Sequence, residues 1–272
     1  MIEMKWLYEI ILIIYGFSLV GYFIDFIHNN RKANRIAFWL LSMVWIIQTL
    51  LFFYEVVVER SFPVSTMVDS LLMYSWVLIT FSMVINRLFP VRFIVLFINV
   101  FGFFVLLFYI AASAANRFPG EAIQFVHEIL IAHITLAIIS YGFFTIAFLF
   151  SIMYLIQYRF LKKKKGLKWM WKLGDLGVLD SYSFKAVSIG VPLLLIAIIF
   201  GFVWAYVSTS VFYWLDLKTI GSMVVLIVYI GYLILRIITG YEGKSLATYN
   251  IVAFLLLLIN FLLFSSLSNF HF

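Results

Sequence analysis

Eight long apolar runs, separated by shorter polar stretches, make up most of the chain. About 20 apolar residues in a helix cross a hydrocarbon core of ~30 Å, and the runs are of about that length or longer. Backbone groups in lipid must be paired internally, and no strand-like alternation indicates a barrel. The pattern therefore predicts an all-α, polytopic membrane protein with eight transmembrane helices. We place these helices at approximately 5–27, 36–58, 69–86, 93–113, 127–157, 186–207, 218–236 and 246–268.

Composition agrees with this interpretation. Of the 272 residues, 65% are hydrophobic and 11% are charged, whereas a soluble domain carries roughly 25% charged residues. We therefore expect a single integral membrane domain over residues 1–272, in contact with the lipid bilayer. The sequence contains no cysteine, which excludes disulfides, thiolate metal sites and covalent haem attachment through C-x-x-C-H.

Lysine and arginine are distributed unevenly over the predicted loops. Fifteen of the 19 lie in the segments 28–35, 87–92, 158–185 and 236–245. The other four, on the opposite side, are Lys5, Arg60, Arg117 and Lys218. The positive-inside rule places the first set in the cytoplasm, so both the N and C termini are predicted to be extracytoplasmic.

The densest basic segment is RFLKKKKGLKWMWK, residues 159–172. We interpret it as a topology anchor on anionic lipid, with Trp169 and Trp171 in the interface. Docking of a protein partner is the alternative. Nucleic-acid binding is not expected, although the net charge is +7.

Histidine is the residue type that most needs a functional reason here. An ionisable group inside a span is costly and is a functional candidate. His133 lies about two turns inside the fifth predicted helix, and His271 follows the eighth on the same predicted outer side. A neutral imidazole bonded to a carbonyl is the structural alternative for His133, and solvation is the alternative for His271. His127 lies at the mouth of the fifth helix on a different face from His133.

Aromatic and acidic residues lie on the same predicted outer side, in the stretch GFVWAYVSTSVFYWLDLK, residues 201–218. Trp204 and Trp214 would form a flat apolar shelf, and Asp216 follows them. Two neutral imidazoles suit haem iron, and an aromatic shelf suits a porphyrin face. The predicted site therefore holds non-covalent haem b between His133 and His271, with His127 as the reserve ligand. An ordinary interfacial aromatic belt is the alternative.

Signatures of common enzyme classes are missing from the sequence. It contains no G-x-x-x-x-G-K-[ST] loop, no H-E-x-x-H and no G-x-S-x-G. Hydrolase chemistry therefore has no support from motifs, and we expect a protein that is not an enzyme. Glu9, Asp25 and Glu55 lie in or near spans, but they do not cluster on one segment and give weak support for ion transport.

Several ordered segments resemble the cytochrome c assembly family of haem-handling membrane proteins, which includes CcsA and CcmC. The resemblance covers approximately residues 62–272, the expected family core. The segments are FPVSTMVDSLLMYSW (62–76), IQFVHEILIAHITLAIISYG (123–142), IGVPLLLIAIIFGFVWA (189–205), YWLDLK (213–218) and SNFHF (268–272). The resemblance implies haem ligation by His133 and His271 beneath a tryptophan-rich WWD shelf.

Departures from the family pattern bear on function. The WWD-like core has Leu217 for proline and Thr219 for glutamate, and Ile234 stands where haem-exporting synthases have a membrane histidine. The N-terminal part is similar to HemX-type members of the family in Gram-positive bacteria. That similarity implies a haem-linked regulator of haem (tetrapyrrole) biosynthesis in the bacterial cytoplasmic membrane. Such a regulator lowers the level of glutamyl-tRNA reductase, through direct or indirect contact. The alternatives are a haem-handling component of cytochrome c maturation, and a transporter or structural subunit without haem.

Overall fold

A computed structural model describes residues 2–58, 67–88, 92–114, 128–164, 173–208 and 217–264. Over these residues the long elements are eight helices, each long and apolar enough to cross a membrane. The prediction of an all-helical chain with eight membrane-length helices is thereby confirmed. The bounds are α1 Ile2–His28, α2 Arg31–Val57, α3 Met67–Leu88, α4 Arg92–Ala114, α5 Glu128–Lys163, α6 Leu176–Ser208, α7 Leu217–Ile237 and α8 Lys244–Ile259. A π-helical turn, Asn260–Phe264, continues α8.

Helices α5 and α6 extend furthest beyond the bounds that the hydropathy pattern predicts. Helix α5 ends at Lys163 rather than at residue 157, and α6 begins at Leu176 rather than at residue 186. The first turns of α6 contain Asp180 and Ser183, which lower the local hydropathy. Both side chains have partners on other helices, so polar residues here are compatible with a packed helix.

The chain divides into two compact units, Met1–Val126 and His127–Phe272. In the first unit α1 contacts α2, α2 contacts α3, α3 contacts α4, and α4 returns to α1. The second unit repeats this cyclic order with α5, α6, α7 and α8. Each unit is therefore a four-helix arrangement of sequential neighbours. The prediction of a single integral membrane domain over residues 1–272 stays a prediction.

Small residues and internal hydrogen bonds hold the first unit together. A Cβ on Gly21 would lie 2.9 Å from the Cβ of Ala37, so α1 and α2 approach closely at this point, as small residues allow between membrane helices. The Tyr15 hydroxyl donates to Asn99 Oδ1 at 3.2 Å, joining α1 to α4. The Ser18 hydroxyl donates to the carbonyl oxygen of Ala37 at 2.8 Å.

A reciprocal pair of tryptophans joins α2 to α3. The Trp45 indole donates to Thr80 Oγ1, and the Trp76 indole donates to Thr49 Oγ1, each at 2.9 Å. Their rings stack with centroids 6.0 Å apart. Both indole N–H groups of these partly buried tryptophans therefore have acceptors inside the unit.

In the second unit, a buried polar cluster connects three helices. Ser151 of α5 and Ser183 of α6 lie 3.0 Å apart at their hydroxyl oxygens. The Asn250 amide of α8 donates to both hydroxyl oxygens, at 2.9 and 3.2 Å. Hydrogen bonds of this kind stabilise contacts between helices where water is absent.

An ion pair joins α7 to α6. Arg236 Nη2 lies 2.7 Å from Asp180 Oδ2, and Gly243 N donates to Asp180 Oδ1 at 3.3 Å. The start of α6 and the loop before α8 are thus fixed to the last turn of α7. The assignment of this end to the cytoplasm, and of both termini to the outside, remains a prediction of the charge pattern.

Candidate haem-binding site

His133 lies in the second turn of α5 and faces α6. Its Nδ1 is 2.6 Å from the carbonyl oxygen of Ala197. A carbonyl oxygen only accepts hydrogen bonds, so Nδ1 carries the proton and donates it. In a neutral imidazole of this tautomer the lone pair lies on Nε2. The hydrogen bond of Nδ1 therefore determines that the second ring nitrogen, Nε2, is the one with a lone pair to offer a ligand.

Gly201 lets the imidazole approach α6 closely. A Cβ at this position would lie 2.8 Å from both Cε1 and Nδ1 of His133. Ala197 and Ala205, one turn before and after it, are buried. These three small residues form a stripe on α6, and such stripes allow close contact between membrane helices.

A cleft opens beside the imidazole, with an empty volume of about 350 Å³ that includes its open mouth. Its described walls come from α5, α6 and α7. The lining residues are His133, Ile198, Gly201, Phe202, Lys218, Thr219 and Ser222. The cleft therefore combines an imidazole and apolar side chains with one cation and two hydroxyls.

The wall from α7 carries the polar groups. Thr219 Oγ1 is buried and has no hydrogen-bond partner among the described residues. Ser222 Oγ accepts a hydrogen bond from Asn260 Nδ2 at 3.2 Å. The charge of Lys218 lies at the start of the same helix, where the helix dipole is positive.

The predicted site residues are only partly covered by the described structure. His133 lines the cleft, and Trp204 is partly exposed on α6, three residues after Gly201. Trp214, Asp216, His271 and the reserve ligand His127 lie outside the described residues. The pairing of His133 with His271 therefore stays a prediction.

Sequence analysis did not predict three groups that contact His133 or line the cleft. They are the Ala197 carbonyl, Gly201 and the Thr219 hydroxyl. The spacing Ala197-x-x-x-Gly201-x-x-x-Ala205 is a sequence signal for close helix approach, and it could have indicated what His133 packs against. Thr219 gave no such signal, because its lack of a partner is a tertiary property.

The residues present fit haem as a ligand. A neutral imidazole with one N–H donated to the protein is the usual form of an axial histidine. Phe202 and Ile198 offer apolar contact, and Lys218 offers a charge for a carboxylate. Fold and site together thus define a polytopic helical membrane protein with an imidazole-lined cleft in its second four-helix unit.

Comparison with known proteins gives the family. The chain belongs to the cytochrome c assembly protein family, whose profile, described as "Cytochrome C assembly protein", matches residues 64–271. It is 45% identical over 260 residues to Protein HemX of Bacillus subtilis (strain 168), covering 96% of this chain and 94% of that protein. Protein HemX of Brevibacillus brevis is 37% identical over 273 residues, 100% of this chain and 99% of that protein.

The chain also has more distant relatives among the CcsA proteins. Cytochrome c biogenesis protein CcsA of Trieres chinensis is 24% identical over 262 residues, 85% of this chain and 80% of that protein. No solved structure matches the chain. The resemblance to HemX-type members of the cytochrome c assembly family is therefore confirmed.

Proposed function

We propose that the protein is a non-enzymatic, haem-binding regulator of haem biosynthesis in the bacterial cytoplasmic membrane. Its proposed output is a lower level of glutamyl-tRNA reductase, reached by direct or indirect contact. The similarity to two HemX proteins over almost the whole chain supports this branch of the family.

One observation carries the haem-binding part of the proposal. His133 donates its Nδ1 proton to the Ala197 carbonyl and lines an open cleft rather than a closed core. Nε2 of His133 would hold the iron, and Phe202 would contact the ring. Bound haem would make occupancy of the cleft follow the haem concentration, which a regulator of haem synthesis has to sense. His271, Trp204, Trp214 and Asp216 complete the proposed site.

Ile234 favours regulation over haem transfer. By resemblance, haem-exporting synthases have a histidine at this position. In this chain the residue is Ile234, an alkyl side chain that lies on an exposed face of α7 with 48% of its surface accessible. An alkyl group supplies no ligand for a second haem site. The alternative, a haem-handling role in cytochrome c maturation, is supported by the family profile and by the similarity to CcsA proteins.

A deletion strain tests the proposed function. We expect the glutamyl-tRNA reductase level to rise while haem-stained c-type cytochromes are retained. The wild-type gene should restore the low reductase level, and the His133→Ala variant should not. His28→Ala is the matched control, because His28 is an exposed residue at the end of α1 in the other unit. Loss of c-type cytochromes with an unchanged reductase level would favour the maturation role instead.

A further inference from the structure

Three polar side chains share one face at the start of α7. Lys218 and Ser222 are four residues apart and Thr219 and Ser222 are three apart, spacings that place side chains together on a helix. All three line the cleft that contains His133. This face is therefore positioned to contact whatever the cleft holds.

The two hydroxyls of this face have unused hydrogen-bonding capacity. Thr219 Oγ1 has no partner among the described residues although it is buried, and such a group costs free energy unless a ligand satisfies it. Ser222 Oγ accepts from Asn260 Nδ2, so its own O–H donates in another direction. Both hydroxyls can donate a proton to an oxygen in the cleft.

The charges around the cleft indicate which kind of ligand oxygen these hydroxyls would bind. The described lining of the cleft includes one cation, the ammonium group of Lys218. The N-terminal end of α7, which begins at Leu217, adds the positive end of its dipole and backbone N–H groups that the helix itself does not bond. Both favour an anion over a neutral carbonyl or hydroxyl.

We propose that Lys218, Thr219 and Ser222 form a carboxylate-binding subsite that takes a propionate of the tetrapyrrole ligand. This inference rests on the proposed function, because the tetrapyrrole is the ligand that His133 would hold. The subsite recognises the carboxylate and His133 recognises the iron. A metal-free porphyrin would therefore use the subsite without the histidine.

The test compares ligands with free and esterified propionates. Full-length protein purified in detergent is titrated with haem and with haem dimethyl ester, and each dissociation constant is measured by absorbance. We expect the wild type to bind haem about tenfold or more tightly than the ester, since a charge-assisted hydrogen bond is lost. Thr219→Val should reduce that ratio about threefold or more without moving the haem absorption maximum.

Two further variants complete the design. Lys218→Gln should reduce the acid-over-ester ratio as well, because it removes the charge. Thr248→Val is the matched control, since the exposed Thr248 hydroxyl donates to the Lys244 carbonyl on α8, and its ratio should equal that of the wild type. Metal-free porphyrin and its dimethyl ester should show the same preference, with no effect of His133→Ala.

The outcomes separate this inference from the proposed function. Equal binding of acid and ester by the wild type, or an unchanged ratio in both Thr219→Val and Lys218→Gln, would overturn the subsite while leaving haem binding intact. Absence of haem binding by the wild type would overturn the proposed function itself, and the subsite with it.

Discussion

At the scale of single residues, the environment of His133 connects two interpretations that the sequence left open. A histidine bonded to a neighbouring carbonyl was the structural alternative to a ligand. The bond to Ala197 is present at 2.6 Å, yet it uses only one ring nitrogen and fixes the tautomer in which Nε2 carries the lone pair. The cleft beside the ring supports the ligand interpretation.

Gly201 provides a test of this geometry. In Gly201→Ala, the new Cβ would lie 2.8 Å from the imidazole, so the ring must move, and overpacking of this kind costs about 1–3 kcal/mol. We expect a lower haem content per protein and a changed haem spectrum, measured on purified protein.

Gly177→Ala is the matched control, because a Cβ at Gly177 on the same helix meets nothing within 4 Å. It should have the haem content of the wild type. Equal haem content in the Gly201 and Gly177 variants would show that close approach of His133 to α6 is not required.

The sequence predicted His133 as a candidate for a clear reason. An ionisable residue inside an apolar run is visible without a structure. Gly201 and Thr219 were not predicted, because their importance depends on which helix they face. One glycine among 14 has no special meaning until the imidazole is placed against it.

At the scale of helices, the sequence predicted the presence of each helix better than its first and last residues. Long apolar runs specify membrane helices through the cost of unpaired backbone groups in lipid. The early start of α6 was missed because Asp180 and Ser183 look like loop residues. Their partners, Arg236 and Asn250, are distant in sequence. A local hydropathy average therefore contains no information about these contacts.

The ion pair between α6 and α7 gives a prediction about stability. In Arg236→Met, the Asp180 carboxylate, with 11% of its side chain exposed, loses a partner at 2.7 Å. Leaving a largely buried charge unpaired costs on the order of 2 kcal/mol. We expect a lower midpoint of thermal unfolding in detergent.

Glu242→Gln is the control for this prediction. Glu242 also contacts Arg236, at 3.3 Å, but 70% of its side chain is exposed, and exposed pairs contribute little. Its midpoint should stay close to that of the wild type. If Arg236→Met were no less stable than Glu242→Gln, the ion pair would not hold α7 in place.

At the scale of the whole molecule, the family profile covers all of the second four-helix unit's helices but only part of the first unit. The family profile begins at residue 64, so α1 and α2 precede it, although they share a unit with α3 and α4. The alignments with the two HemX proteins cover 96% and 100% of the chain and so reach α1 and α2. These full-length alignments therefore extend the similarity to α1 and α2, beyond the residues that the profile matches.

Orientation in the membrane is tested on the two ends of one helix. Glu128 and Lys164 are exposed at opposite ends of α5, which at 1.5 Å per residue is about 54 Å long and exceeds the bilayer core. The sequence has no cysteine, so single Glu128→Cys and Lys164→Cys variants are uniquely labelled. In intact cells an impermeant thiol reagent should label position 128 and not 164. Labelling of 164 and not 128 would invert the predicted topology.

The absorption spectrum of the purified protein, oxidised and reduced, tests the central claim most directly. The wild type, expressed with ample haem, should show a low-spin haem b spectrum. His133→Ala and His271→Ala should each lose haem or change its spin state, while His28→Ala should match the wild type. Unchanged haem content and an unchanged spectrum in both the His133 and His271 variants, or a colourless wild-type protein, would contradict the account.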